Sequence, residues 1–290
     1  MEPTPRILMC PPDFYGIEYE INPWMNRRVG TDPDESRRQW LALEATLSDL
    51  GANVERLDAV QGLPDLVFTA NAGLIYGDRA IVSRFRHGVR QREEPYFAHW
   101  FEAHGFRVEH VPEPNYFEGA GDALFCGETL FAGYRYRSDA SSHLWIGERL
   151  GVECLPLELV DPRFYHLDTC FCPLAEGEAI YYPGAFDDYG RSVLAERVGR
   201  LIAVSAEEAV SFSCNAVVVD RTVVLNLGAP KLARALEQAG YTTQPLQLTE
   251  FIKAGGSAKC LTLYLSTPPW QTAEPDLPHT PARFSTSASK

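Results

Sequence analysis

The sequence predicts an α/β protein built from about five copies of one strand-strand-helix-strand unit, stacked around a shared centre and long enough in sum to close into a ring. Three observations carry this. Residues 74–82 read as two apolar strands around a Gly77-Asp78 turn, and the same form returns at 123–131, at 176–182 and, shortened, at 216–224. Each hairpin precedes a segment whose apolar residues recur at helical spacing, and each such segment leads into another short apolar strand. An opening strand with its own helix, together with a last strand over 260–265, accounts for the fifth copy.

Residues 6–10 (Arg-Ile-Leu-Met-Cys) form the short opening strand. From Pro11 to Met25 aromatics occur without a helical period, which predicts a long loop; its aromatics favour packing over disorder. A helix is predicted over 36–50, where Trp40, Leu43, Leu47 and Leu50 share one face, with capping residues available over 32–36. The helices that follow the hairpins are predicted over 91–104 (Phe97, Phe101, His104), 139–150, 188–200 (Leu194, Val198, Leu201) and 230–239 (Leu232, Leu236). Strands over 108–111 and 152–155 come after the first two of these. Beyond Ser266 Pro, Thr and Ser accumulate and no period survives. One domain over 1–265 and a flexible tail over 266–290 are expected.

Asp and Glu outnumber Lys and Arg 39 to 26, and the net charge of -13 argues against nucleic acid and anionic membranes as partners while suiting a small cationic substrate. No run approaches the roughly 18 apolar residues of a membrane helix, and the first residues lack the charged-then-apolar layout of a signal peptide, so the chain reads as cytoplasmic. The 7 cysteines show none of the paired spacings that build zinc sites. Cys170 and Cys172 read as small apolar fillers in a reducing compartment. Oligomeric state is not encoded in any pattern here, and a homo-oligomer stays open.

Chemistry concentrates near the end of the chain. In 254–263 (Ala-Gly-Gly-Ser-Ala-Lys-Cys-Leu-Thr-Leu) two glycines permit a tight turn and the alternation after them reads as a strand, which puts Cys260 at a strand entrance. That position suits a nucleophile and equally an ordinary buried cysteine. The residues ahead of each hairpin are polar: Thr69-Ala70-Asn71, Glu118 through Asp122, His166-Leu167-Asp168-Thr169, and Asn215. If rotation relates the units, these residues point to one axis, and a strand would place His166 and Asp168 on one face. Singly, each has a structural account, Glu118 and Asp122 bracing a glycine turn and Asn71 closing an Asx-turn. Recurring at equivalent places of one repeat beside a glycine-flanked cysteine, they favour a site.

The order FTANAG (68–73), FEGAGD (117–122), HLDT (166–169) and GGSAKC (255–260) resembles the guanidine-modifying superfamily, the penteins, over roughly residues 5–265. The resemblance implies a five-bladed ββαβ propeller with pseudo-fivefold symmetry. It makes Cys260 the nucleophile, His166 its acid-base partner, and Glu118 and Asp168 the carboxylates that meet a guanidinium, with Asp122 beside them. Paired carboxylates suit a planar cation through charge-assisted hydrogen bonds. Arg90 and Arg137 fall where the family holds a substrate carboxylate. No cofactor or metal is implied, because a thiol and an imidazole suffice. Deiminases carry aspartate where this chain has Asn71; an amide there, and the 19–25 segment with Asn22, are similar to the arginine dihydrolases, which yield ornithine, carbon dioxide and two ammonia. Asn22 is then a second polar contact, although an Asn-Pro turn explains it nearly as well. A deiminase, a dimethylarginine dimethylaminohydrolase or an amidinotransferase is the alternative, and a non-catalytic binding protein of the same fold is opposed by the intact residue set and the acidic charge.

Overall fold

The structure is a computed structural model that describes residues 4–266. The tail predicted after residue 266 lies outside the described residues. Fifteen strands follow in order: β1 (Arg6–Met9), β2 (Asn53–Arg56), β3 (Gly73–Tyr76), β4 (Arg79–Val82), β5 (Arg107–His110), β6 (Ala123–Cys126), β7 (Thr129–Tyr134), β8 (Cys154–Glu158), β9 (Phe171–Ala175), β10 (Glu178–Tyr181), β11 (Arg200–Ala203), β12 (Val217–Val219), β13 (Thr222–Asn226), β14 (Thr242–Leu246) and β15 (Leu263–Tyr264).

They form five three-stranded sheets of one design. In four of them an antiparallel hairpin is joined by a parallel third strand that returns after a helix. Two-residue turns close these hairpins, and they need a left-handed residue. Gly77, Gly127 and Gly177 supply it at φ of 57°, 64° and 70°, and in the shortened copy Asp220 takes the place at 51°. The fifth sheet is assembled from both ends of the described chain: β15 pairs antiparallel with β1, Ile7 opposite Tyr264, and β2 pairs parallel with β1.

The helix predicted over 36–50 runs Pro33–Asp49, and its start is set by Asp32, whose side chain accepts from Asp34 N and Glu35 N. Trp40, Leu43 and Leu47 are buried on its inner face as the spacing required, each burial contributing about 1.5–3 kcal/mol. The longer helices that follow the hairpins are Glu94–Ala103, Ala140–Leu150, Asp188–Arg197 and Pro230–Gln238, and single-turn helices stand at Gly88–Gln91, Ala206–Ala209 and Thr249–Ile252. The helix expected over 188–200 is shorter: it ends at Arg197, and Leu201, which continues its apolar period across Gly199, belongs to β11. The long loop holds no helix or strand, and it is anchored by buried Tyr15, Ile17 and Met25.

Short 3-10 turns, Thr69–Ala72, Gly119–Gly121 and Leu167–Thr169, lead into three of the hairpins and pack on one another. The strands they lead into, with β12 and β15, surround a central cavity of about 50 Å³ lined by Leu74, Leu124, Cys172, Val218 and Leu263, one from each sheet. The polar residues on the turns therefore converge at one end of that cavity. Among the described residues no helix is long and apolar enough to cross a membrane.

Candidate active site

Cys260 does not stand at a strand entrance. The expected strand over 260–265 shrinks to β15, because the backbone from Ser257 to Thr262 turns on itself, Leu261 N donating to Ser257 O and Thr262 N to Lys259 O. Asn215 pins this turn: its Oδ1 accepts from Ser257 N at 3.0 Å and Cys260 N at 3.1 Å, while its Nδ2 donates to Asp168 O at 3.0 Å and to Cys260 Sγ at 3.1 Å. The thiol in turn donates to Asp168 Oδ2 at 3.4 Å. One amide thus fixes the cysteine against the segment that carries Asp168.

His166 and Asp168 do not share a strand face either. His166 is extended, but Leu167–Thr169 is a 3-10 turn that rotates Asp168 onto Cys260 and leaves His166 between two carboxylates. Glu118 Oε2 lies 3.3 Å from its Nε2 and Asp122 Oδ1 lies 3.1 Å from its Nδ1. Asp122 is held by Ser138 Oγ at 2.6 Å and Leu167 N at 3.2 Å. Glu118 accepts from Arg137 Nη1 at 2.9 Å and from Arg86 N at 3.1 Å. Asp122 therefore holds the imidazole from the side opposite Glu118.

Six of the nine residues picked from sequence line a small enclosed chamber: Asn22, Asn71, Arg90, Arg137, His166 and Cys260. Glu118, Asp122 and Asp168 stand immediately behind, touching Arg137, His166 and Cys260. Asn71 is tied at both ends, Oδ1 accepting from Arg90 Nη1 at 3.0 Å and Nδ2 donating to Glu118 O at 2.9 Å. Arg90 is further clamped by Glu93, at 2.9 and 2.7 Å, and both arginines are 3% exposed, so neither is a solvated surface group. Asn22 serves as turn and wall together: its Oδ1 accepts from Trp24 N at 2.9 Å and its Nδ2 donates to Ala254 O at 3.0 Å.

Sequence reasoning missed Asp65, which sits in the 3-10 turn Pro64–Val67 and also lines the chamber. Its Oδ1 has no hydrogen-bond partner among the described residues, and Oδ2 lies 3.8 Å from Arg90 Nε. The only signal was a lone carboxylate inside the apolar run Leu-Pro-Asp-Leu-Val-Phe. Tyr165, whose hydroxyl donates to Gly255 O at 2.8 Å and whose ring lies under Arg137, was missed as well.

Burial alone would raise the Glu118 carboxyl, but the Arg137 charge and then His166 hold it well below the usual range. His166 moves the other way: burial disfavours the imidazolium, yet Asp122 and Glu118 outweigh it and push the group up to about 9. Burial lifts Asp168 to about 6 against the pull of Lys259 and His166. The Cys260 thiol is raised well above its ordinary value, by burial first and by Asp168 second. These surroundings favour the neutral thiol at Cys260 and the charged imidazole at His166. A positive charge placed beside Cys260 and Asp168 would favour the thiolate. Among the described residues no three His, Cys, Asp or Glu side chains are disposed to hold a metal ion.

A buried thiol, an imidazole and three carboxylates thus meet around one small chamber. Comparison with known proteins gives the class, although no family model matches. The chain is 48% identical over 268 residues to the bifunctional arginine dihydrolase/ornithine cyclodeaminase AgrE of Nostoc, a match that covers 91% of this chain and 38% of that one. It is 40% identical over 260 residues to the N(G),N(G)-dimethylarginine dimethylaminohydrolase of Mycobacterium tuberculosis, covering 90% of this chain and 85% of the relative. The crystal structure of the N-terminal domain of ArgZ with substrate, an arginine dihydrolase from cyanobacteria, superposes with a TM-score of 0.88 at 47% identity over 91% of this chain and 99% of that one. The chain belongs to the guanidine-modifying superfamily of arginine dihydrolases and dimethylarginine dimethylaminohydrolases. It spans well under half the length of the bifunctional relatives, matching 38% of each.

Proposed function

We propose that this protein is an arginine dihydrolase, converting arginine and two waters to ornithine, carbon dioxide and two ammonia. In this reading the five sheets are the blades of a ββαβ propeller, residues 1–265 form one domain, and the enzyme works in the cytoplasm, where its free cysteines stay reduced. The guanidinium lies against Asp168 and Glu118, Arg90 and Arg137 face the substrate carboxylate, and the unpartnered Asp65 Oδ1 accepts from its ammonium.

The guanidinium charge beside Cys260 favours the thiolate, whose proton leaves to solvent as substrate binds, and the thiolate attacks the central carbon to form a C–S bond. His166, charged in the resting site, gives its proton to the departing ammonia as the C–N bond breaks. Neutral His166 then takes a proton from water, which attacks the thiouronium carbon and releases the thiolate with a ureido product. A second round on that product ends at ornithine.

The observation that carries the second round is Asn71. One of its N–H bonds goes to Glu118 O and its oxygen to Arg90, so the amide is fixed at the chamber wall with a second N–H left to meet a ureido oxygen. A carboxylate at that place would have no donor for a neutral product. The Asn71→Asp variant is expected to accumulate citrulline, the ornithine-to-citrulline ratio falling by roughly tenfold or more, about the worth of one such hydrogen bond. An unchanged ratio by mass spectrometry removes this role from the amide.

The test of the function is a product assay on purified protein with arginine. Two ammonia per ornithine, with little free citrulline, support it; one ammonia per citrulline makes the enzyme a deiminase. Turnover of dimethylarginine alone, the activity named for the mycobacterial relative, replaces the reading outright.

A further inference from the structure

Lys259 directly precedes Cys260, yet the two side chains leave the turn toward different cavities. Cys260 lines the closed chamber, and Lys259 lines the central cavity among Leu124, Val218 and Leu263. Lys259 is 7% exposed, and its ammonium donates to Thr262 O at 3.4 Å. Among the described residues the lysine ion pairs are made by Lys231 and Lys253, not by Lys259. A buried ammonium without a close counter-ion is costly, by several kcal/mol, unless nearby charges answer it. The charged and titratable groups that face it are Asp168, Cys260 and Cys172.

Charge pairing inside the site leaves a specific need. Glu118 is answered by Arg137 and Asp122 by His166, both within ion-pair distance. Asp168 and the reactive Cys260 sulfur, 3.4 Å apart, have no such partners. When Cys260 ionises, two neighbouring anions share a buried space. A bound guanidinium brings one positive charge, and Lys259 is placed to bring the other.

We propose that Lys259 is a positioning residue of this site, supplying from behind Cys260 the positive charge that lets the Asp168 carboxylate and the Cys260 thiolate exist side by side. The proposal rests on the guanidine-hydrolase reading above. It gives the cavity behind the cysteine a purpose, since a low-dielectric setting lets one ammonium act strongly on Asp168 and Cys260 without entering the chamber. Asp168, which also faces His166 and Asp122, is pulled down by Lys259 more than by any other neighbour.

The test compares Lys259→Met and Lys259→Arg with the wild type across pH. Wild-type kcat/KM for arginine rises as Asp168 ionises near its value of about 6. In Lys259→Met that limb is expected to move up by about one pH unit, leaving kcat/KM roughly 5-fold lower at pH 6, about 2-fold lower at pH 7 and close to wild type at higher pH. Lys259→Arg keeps the charge, has room in the cavity, and is expected to restore the wild-type limb. A pH limb that stays in place, or an arginine variant as impaired as the methionine one, overturns the proposal in favour of packing alone. Calorimetry with arginine in a Cys260→Ser background separates the two layers of argument. No arginine binding by Cys260→Ser itself overturns the function; binding that Lys259→Met leaves unchanged at pH 6 and pH 8 overturns only the role of Lys259.

Discussion

Cys260→Ser is expected to lose turnover of arginine by a factor of at least ~10⁴, the scale seen when a nucleophile is removed from an otherwise intact site, while arginine still binds. The serine hydroxyl can keep the contacts to Asn215 and Asp168 that fix the side chain, so the chamber and its charges survive. What disappears is ionisation: a guanidinium at the site can release a thiolate but not an alkoxide, and no C–S intermediate forms. Ammonia and ornithine release measures the loss, and calorimetry the retained binding. Undiminished turnover excludes the thiol from the reaction.

The second large effect is expected at a residue that touches no substrate. A Cβ on Gly121 would stand 2.3 Å from Asn71 Nδ2 and 3.3 Å from His166 Nδ1. Asn71 cannot swing aside freely, because Arg90 holds its oxygen and Glu118 O its nitrogen. Gly121→Ala therefore displaces the amide, the imidazole or both. Misplacements of about 1 Å in such groups cost on the order of 10²-fold in rate, and overpacking costs roughly 1–3 kcal/mol of stability. We expect kcat/KM to fall by about 10²-fold in a protein that still melts cooperatively at a lower Tm. Activity within twofold of wild type shows that the positions of Asn71 and His166 tolerate the shift.

The repeat was legible because its punctuation is chemical. Gly77, Gly127 and Gly177 stand in turns that demand a left-handed residue, and the strands around them are short, mostly apolar runs buried along nearly their whole length. The site was legible for the same reason, since Asn71, Glu118 and His166 precede hairpins in one repeating pattern. Asp65 escaped because its carboxylate lies in a 3-10 turn with no counterpart in other copies. Lys259 escaped because a lone lysine next to a cysteine says nothing of which cavity it faces. The geometry around Cys260 was misread for a physical reason as well: the alternation from Cys260 to Leu265 mimics a strand, but the first residues satisfy their amides within a turn and through Asn215. Arg90 and Arg137 both reach the chamber, yet their engagement with Glu93 and Glu118 is a three-dimensional fact that spacing does not contain.

The pairing of β15 with β1 also bears on how the molecule is made. Domains begin to fold from the N-terminal side as the chain leaves the ribosome, at about 5–20 residues per second. Here β1 has β2 as an early neighbour, but Ile7 and Leu8 find their antiparallel partners only in Tyr264 and Leu263 of the last described strand. The thiol arrives with that closing strand, three positions ahead of it. A nascent or truncated chain lacking the segment from Gly255 onward leaves that edge of β1 unpaired and lacks Cys260, so the pairing of the last described strand and the arrival of the thiol coincide during synthesis.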